Sequence, residues 1–94
     1  MYVTVRIYSG SPGLVDALVE RESDVKRLIG GIDGFGSYYL VRGGDGEATT
    51  ISVFETQAGA EESNSTAAQW LRETLPELSV GAPEIRAGEA VLSF

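Results

Sequence analysis

The stretch from Phe35 to Glu55 restricts the possible folds more than any other part of the chain. Two β-rich runs, Phe35–Arg42 and Ala48–Glu55, are joined by the glycine-rich sequence Gly43-Gly44-Asp45-Gly46, which predicts a hairpin. No lysine followed by serine or threonine comes after these glycines and no helix pattern begins there, so a phosphate-binding loop is not indicated. The hairpin therefore predicts two neighbouring antiparallel strands in the middle of the chain.

A helix pattern lies on each side of this hairpin, and a strand pattern lies towards each end of the chain. Tyr2–Tyr8 alternates between apolar and polar residues as a strand does. Apolar residues at helical spacing predict one helix that begins at Pro12, after a Ser11 cap, and ends at Gly30-Gly31. A second helix is predicted from Gln57 to Leu75, and a last strand from Glu84 to Phe94.

The resulting order, β-α-β-β-α-β, is the pattern of a ferredoxin-like α+β fold. With the first and third strands as neighbours and right-handed crossovers, the four-stranded antiparallel sheet has the order 4-1-3-2 and both helices on one face. We expect residues 1–94 to form a single domain, because a chain of 94 residues can bury only one modest core.

Strand alternation also predicts which side chains face the helices. We expect Val3, Val5 and Ile7 to face them, together with Ile51 and Val53. Whether Tyr38 or Tyr39 joins this side is left open, because a one-residue slip in register would exchange the two. The uncovered face would then carry three aromatic residues among Tyr2, Thr4, Arg6, Tyr8, Thr50, Ser52 and Phe54. An apolar patch of that size predicts a symmetric homodimer that packs sheet against sheet.

Composition excludes several kinds of function. Fourteen acidic and seven basic residues give a net charge of −7, which disfavours nucleic acid as a partner. The chain has no cysteine and no histidine, so disulfides, thiolate chemistry and Ser-His-Asp catalysis are excluded. Carboxylates show no metal-site spacing, and we expect neither a metal nor a cofactor. Neither a signal peptide nor a long apolar run is present, which predicts a cytoplasmic protein without a membrane partner.

Several features together resemble one protein family. The element order, the chain length, the run Ile51-Ser52-Val53-Phe54-Glu55 and the following helix with Trp70 are similar to those of the antibiotic biosynthesis monooxygenase-like proteins. The resemblance covers nearly the whole chain and implies a dimeric α+β barrel, with a cleft between sheet and helices in each subunit. Some members of this family oxidise aromatic polyketides with molecular oxygen and neither metal nor flavin, others degrade haem, and many have no assigned activity.

The resemblance also suggests site residues, although it assigns no catalytic residue. Haem-degrading members use an asparagine on the first strand, a tryptophan and an axial histidine. This chain has no histidine and no asparagine in its first strand, so haem degradation is not expected. Cofactor-free oxygenases place Trp, Tyr, Asn and Arg around an aromatic substrate. The nearest matches here are Trp70, Tyr38, Tyr39 and Asn64.

Each candidate also has a structural interpretation. Trp70 could be a ligand wall or simply core packing, and the two tyrosines could pack with their hydroxyls in water. Asn64 could bind a substrate oxygen or lie in a solvated helix turn. Glu55, a further candidate, could act as a general base if it were buried, or form an ion pair with one of three arginines, Arg6, Arg42 or Arg86.

Two functional hypotheses follow from the sequence. The first is a small dimeric protein that binds an apolar or aromatic small molecule in the sheet–helix cleft, as a cofactor-independent monooxygenase would. The second is a non-catalytic dimeric module, structural or regulatory, whose cleft is filled by its own side chains. A hollow cleft would favour the first hypothesis.

Overall fold

The computed structural model describes all residues from Met1 to Phe94. Its regular elements are three helices and four strands, with a short 3₁₀ turn after β2 and another after α3. In chain order they are β1 (Tyr2–Tyr8), α1 (Leu14–Glu20), α2 (Glu22–Gly30), β2 (Phe35–Arg42), β3 (Ala48–Phe54), α3 (Gln57–Thr74) and β4 (Glu84–Glu89).

The four strands form one antiparallel sheet in the order β2-β3-β1-β4, which is the predicted ferredoxin-like order read from the other edge. All three helices pack on the same face. A bulge between Phe35 and Ser37 places Tyr38 opposite Ser52 and Tyr39 opposite Ile51. The register left open by the sequence is therefore decided, with Tyr38 on the helix side and Tyr39 on the open side.

The first predicted helix is two helices. The backbone leaves the helical region at Arg21, with φ −108° and ψ 31°, and α2 starts at the next residue. A continuous inner stripe would need apolar residues three and four positions after Leu18, where the sequence has Arg21 and Glu22. Ser11 is not the cap of α1, since the position before the helix is Gly13 in a left-handed conformation.

The other boundaries agree more closely with the sequence prediction. Thr56 caps α3 as expected, because its hydroxyl accepts a hydrogen bond of 3.2 Å from the Gly59 amide. β4 is shorter than predicted and ends at Glu89, and residues 90–94 follow without regular structure. Three apolar side chains in that segment, Val91, Leu92 and Phe94, are exposed.

The predicted facing of β1 and β3 is wrong. Thr4, Arg6 and Tyr8 point towards the helices, and so do their neighbours Thr50, Ser52 and Phe54 on β3. The aliphatic residues lie on the open face: Val3, Val5, Ile7, Ile51 and Val53, beside Tyr39 and Val41 of β2. This set is called the open apolar face below.

The reversal has a physical cause in α3, the helix that covers the middle of the sheet. Its inner side carries small or hydrogen-bonding residues, namely Gly59, Ala60, Ser63, Asn64 and Ala67. Such a surface leaves space for long polar side chains from the sheet and supplies partners for them. The opposite face has no covering element within the chain, so its aliphatic residues remain half-exposed or exposed.

The core lies between the helices and the sheet. Its largest fully buried apolar residues are Phe54 and Leu14, and buried residues of α1, α2 and α3 complete it. The Phe35 and Phe54 rings meet edge to face, with centroids 5.9 Å apart. No helix of the structure combines the length and the apolar character needed to span a membrane.

Gly59 makes the close approach of α3 to β3 possible. A Cβ atom at this position would lie 3.0 Å from the Asp33 carbonyl oxygen and 3.1 Å from the Phe54 ring. We expect Gly59→Val to lower the free energy of unfolding by about 1–3 kcal/mol, because neither the backbone oxygen nor the buried ring can move freely. Urea denaturation measures the effect.

Gly30→Ala is the matched control for this substitution. A Cβ atom at Gly30 meets nothing within 4 Å, and the residue lies in α2. The alanine should therefore stabilise by roughly 0.5–1 kcal/mol through helix propensity. Equal effects of the two substitutions would contradict the close packing of α3 on β3.

Candidate functional site

A row of polar side chains lies on the helix side of the two central strands. Thr4 is paired with Ser52 across the β1–β3 ladder, and Arg6 is paired with Thr50. All four are buried, with exposures of 2% or less. Polar groups are rarely buried in the centre of a sheet unless they have hydrogen-bond partners, so this row identifies a specialised region.

Arg6 is the centre of this polar row. Its Nη1 donates to Asn64 Oδ1 at 2.9 Å and to Ser63 Oγ at 3.3 Å, and its Nη2 lies 3.4 Å from Ser52 Oγ. Asn64 Oδ1 also accepts from the Thr4 hydroxyl at 3.1 Å. Asn64 thus connects both strand residues to α3, while Ser63 donates to the Ala60 carbonyl at 2.6 Å.

The Arg6 guanidinium has no carboxylate partner. The ion pairs of the structure involve four other arginines, Arg21, Arg27, Arg42 and Arg86. Two buried polar atoms of the same region, Arg6 Nε and Thr50 Oγ1, have no hydrogen-bond partner at all. A buried cation with only neutral acceptors is costly, because desolvation is not offset by an opposite charge.

Two tyrosines beside Arg6 do not supply that charge. Burial raises the pKa of the Tyr8 phenol above its ordinary value of 10.0, and the Arg6 cation offsets only part of the shift. Burial raises the pKa of Tyr38 in the same way, with Tyr8 adding to the increase. Both phenols are therefore neutral at pH 7 and present hydroxyl groups rather than phenolates.

These pKa shifts predict a loss of stability in alkali. Because the folded-state pKa values lie above the unfolded value of 10.0, the contribution of both phenols is complete below pH 10.0 and is lost as the pH rises through the folded-state values. We expect the free energy of unfolding to fall above that pH and Tyr38→Phe to reduce the fall. Denaturation at several pH values, with tyrosinate absorbance followed in parallel, checks this. An unchanged pH dependence in both Tyr38→Phe and Tyr8→Phe would contradict it.

Residues of the polar row lie beside a small, partly open pocket, which is called the chamber below. Arg6, Thr50, Tyr8 and Tyr38 line one side of it, and Trp70 lies among the apolar residues of the other side. Its volume is about 30 Å³, which is enough for one or two water-sized atoms but not for an aromatic ring. The accessible wall of this space is almost entirely apolar, and the two unpartnered atoms, Arg6 Nε and Thr50 Oγ1, are closed off from it.

Two larger clefts adjoin this chamber. One, of about 500 Å³, lies between α1, α2 and β2 and shares Leu18, Val25, Ile29 and Tyr38 with the chamber. It is called the outer cleft below, and the charged residues Glu22 and Lys26 border it. The other, of about 540 Å³, lies beside the end of α3 and residues 79–83 and shares Tyr8 and Leu71 with the chamber. Clefts of this size hold drug-sized ligands.

The structure brings three of the five sequence candidates together. Trp70 and Tyr38 line the chamber, and Asn64 holds the Arg6 guanidinium. Tyr39 lies on the open apolar face with 58% of its surface exposed. Glu55 is exposed just beyond β3, where its amide donates to the Gly34 carbonyl at 2.8 Å, and it forms no ion pair with Arg6, Arg42 or Arg86.

Sequence reasoning missed the most unusual members of the site. Arg6, Tyr8 and Thr50 were assigned to the uncovered face because aliphatic residues were expected to face the helices. The sequence did contain one signal. β1 has an arginine, Arg6, in its interior and a tyrosine at each end, Tyr2 and Tyr8, although it is an inner strand of the sheet. No three carboxylates lie close enough together to hold a metal ion.

Haem does not fit this cleft. The chain has no histidine, and the only oxygen donors in the chamber that could act as axial ligands are the Tyr8 and Tyr38 phenols. Burial raises the pKa of both, which opposes the tyrosinate form that binds iron. The chamber of about 30 Å³ is also far smaller than a porphyrin.

Comparison with known proteins identifies the fold. No protein-family model matches the sequence, and no curated protein does. Solved structures match over nearly the whole chain. A candidate antibiotic biosynthesis monooxygenase from Bordetella bronchiseptica is 17% identical, with a TM-score of 0.73 over 97% of each chain. The chain has the antibiotic biosynthesis monooxygenase fold.

Two other structures with this fold differ in their chemistry. SnoaB from Streptomyces nogalater, a cofactor-independent oxygenase, is 15% identical with a TM-score of 0.63, over 98% of this chain and 93% of that one. MhuD from Mycobacterium tuberculosis, a haem degrader with two haems bound, is 16% identical with a TM-score of 0.70, over 100% and 99%. The expected resemblance is thus confirmed for the fold, and the fold alone does not select a reaction.

Proposed function

We propose that this protein is a homodimer that binds an apolar or aromatic small molecule in the cleft between sheet and helices, and oxidises it with molecular oxygen without a cofactor. The observation that carries the proposal is the chamber with its buried cation, two neutral phenols and the Trp70 indole. The outer cleft adds an apolar wall large enough for a ring system. A cofactor-independent oxygenase among the proteins that share the fold supports the chemistry.

The residues of the chamber restrict how such a reaction could proceed. None of them can accept a proton at neutral pH, since the ionisable groups are a guanidinium and two protonated phenols. The substrate must therefore form its own carbanion or enolate readily. In the overall reaction one oxygen atom enters the substrate, a methylene becomes a carbonyl, and the two hydrogens leave with the other oxygen atom as water.

Ligand binding can be followed through Trp70, the only tryptophan. We expect a naphthalene-type ligand to change its fluorescence with saturation. Ala67 borders the chamber and is 9% exposed, so Ala67→Leu should fill the chamber, exclude any part of the ligand that enters it from the outer cleft, and weaken binding at least about tenfold. Ala58→Leu, on the exposed side of the same helix, is the matched control and should bind normally.

Oxidation needs a separate measurement. We expect the protein to accelerate oxygen consumption by anthrone, whose methylene is acidic enough to ionise without a strong base, in buffer treated with a chelator. Ala67→Leu should lose the acceleration and Ala58→Leu should keep it. Saturable binding without any acceleration would restrict the function to binding.

The dimer part of the proposal is supported by the open apolar face. Seven apolar side chains on three adjacent strands form a continuous surface: Val3, Val5, Ile7, Tyr39, Val41, Ile51 and Val53. Monomeric proteins seldom leave such a patch in water, and a second copy with the same patch covers it by two-fold symmetry. Sedimentation at micromolar concentration should give the mass of a dimer.

The alternative is a non-catalytic dimeric module with a self-filled cleft. The small volume of the chamber, about 30 Å³, favours this alternative, because Trp70 and its neighbours already occupy most of the space. It predicts no saturable change in Trp70 fluorescence with any aromatic ligand. It also predicts that Ala67→Leu destabilises the protein and has no other effect.

A further inference from the structure

The cleft of about 540 Å³ beside the end of α3 takes no part in the proposed function, and it is called the second cleft below. Arg72 is the only charged residue that lines it, and no carboxylate does. Arg72 also belongs to none of the ion pairs of the structure. In a chain with a net charge of −7, a cleft whose single charged group is an unpaired cation favours an anionic ligand.

The second cleft has a polar mouth and an apolar base. Arg72 and Pro76 lie at the exposed end of its lining, whereas Tyr8, Leu71 and Leu75 are buried. A ligand that pairs with Arg72 at the mouth therefore meets apolar side chains further in. This arrangement suits an amphipathic molecule, with its charged group outermost and its apolar part towards the sheet.

The chamber extends the apolar base of the second cleft. Tyr8 and Leu71 border both spaces, and the accessible wall of the chamber is almost entirely apolar. Its volume of about 30 Å³ accepts one or two methylene groups but not a ring. The extension is therefore suited to the end of a linear aliphatic chain.

We propose that the second cleft binds a monocarboxylate with a linear aliphatic chain, as in a fatty acid, whose carboxylate pairs with Arg72 and whose chain passes Leu71 and Tyr8 into the chamber. The outer cleft suits such an anion less well, because Glu22 lies four residues before Lys26 on α2 and offsets its charge. The inference goes beyond the proposed function, which concerns an aromatic ligand of the outer cleft.

The charged group is tested by comparing decanoate with the neutral 1-decanol, by isothermal titration calorimetry at pH 7. We expect the wild-type protein to bind decanoate about fivefold more tightly, since an ion pair at the mouth of a cleft remains partly in water. Arg72→Gln should abolish this preference, and the alcohol should still bind. Lys26→Gln is the matched control, because Lys26 is the cation of the outer cleft, and it should leave the preference unchanged.

The chain is tested with the series octanoate, decanoate and dodecanoate. We expect the wild-type affinity to rise by about two- to fourfold for each added methylene, as burial of aliphatic surface predicts. Ala67→Leu fills the chamber, so in this variant the rise should end at a shorter acid than in the wild-type protein. Ala58→Leu, on the exposed side of α3, should behave as the wild-type protein does.

Four outcomes would overturn the inference. They are equal binding of decanoate and decanol, an acid preference that is lost in Lys26→Gln rather than in Arg72→Gln, an affinity that does not depend on chain length, and a rise that ends at the same acid in the wild-type protein and a folded Ala67→Leu variant. The comparison of acid with alcohol is decisive even if Ala67→Leu does not fold, since Arg72 and Lys26 are exposed.

The proposed function is measured separately, through the titration of Trp70 with the naphthalene-type ligand. A protein that binds this ligand but not decanoate keeps the proposed function and overturns the inference. A protein that binds decanoate through Arg72 but no aromatic ligand does the reverse.

Discussion

Ile51→Lys is expected to prevent formation of the proposed dimer and to leave the protein a monomer. Ile51 lies on β3, between Val5 of β1 and Tyr39 of β2, within the open apolar face. In a two-fold dimer each substitution acts twice, and two ammonium groups would be buried at one apolar interface. The cost of several kcal/mol corresponds to an increase in the dimer dissociation constant of about a thousandfold or more.

Sedimentation at several protein concentrations measures this effect. Val19→Lys is the control, because Val19 is also an exposed aliphatic residue, with 57% of its surface accessible, but lies on α1. It adds the same charge and should leave the proposed dimer intact. A wild-type protein that sediments as a monomer at micromolar concentration would refute the dimer, as would an Ile51→Lys variant that is folded and still dimeric.

Phe54→Ala is expected to cause the largest loss of stability among single substitutions. The side chain has no exposed surface, packs edge to face on Phe35, and lies against Gly59 at the point where β3 turns into α3. Removal of a buried phenyl ring costs about 3–5 kcal/mol, because transfer free energy is lost and a cavity remains. Urea denaturation at one fixed protein concentration measures the change, since the stability of the proposed dimer would depend on concentration.

Phe94→Ala provides the contrast. Phe94 lies after β4 and is fully exposed, so its removal should change the unfolding free energy by less than about 0.5 kcal/mol. The comparison also tests the facing of β3. If Phe54 lay on the uncovered face, as the alternation of the sequence had indicated, Phe54→Ala would cost little.

The elements and their order were predictable because they depend on local signals. Turn residues at Gly43–Gly46 and the Thr56 cap act within a few residues of themselves, and the sheet order follows from general rules of connection. The break between α1 and α2 at Arg21 was harder to predict from the sequence. It arises because the inner stripe lacks apolar residues after Leu18, and a gap of this kind is easily read as a polar turn of one continuous helix.

The candidate site was only partly predictable. Trp70, Tyr38 and Asn64 were found because their residue types suit a ligand cleft, and the structure places them around one chamber or its arginine. Arg6 and Tyr8 were placed on the wrong side, because aliphatic residues were assumed to mark the covered face. That assumption fails when both faces of a sheet are apolar in part and the helix above it is lined with small and polar residues.

By itself, the sequence determined the β-α-β-β-α-β order, the central hairpin and the absence of histidine and cysteine chemistry, since these depend on residue type and short-range pattern. Only the tertiary structure decided which face of each central strand meets α3, and hence that a buried arginine without a counter-ion borders the chamber. The reason is that strand alternation specifies two sets of side chains but not which set is covered. The choice depends on the surface of a helix that lies about fifty residues further along the chain.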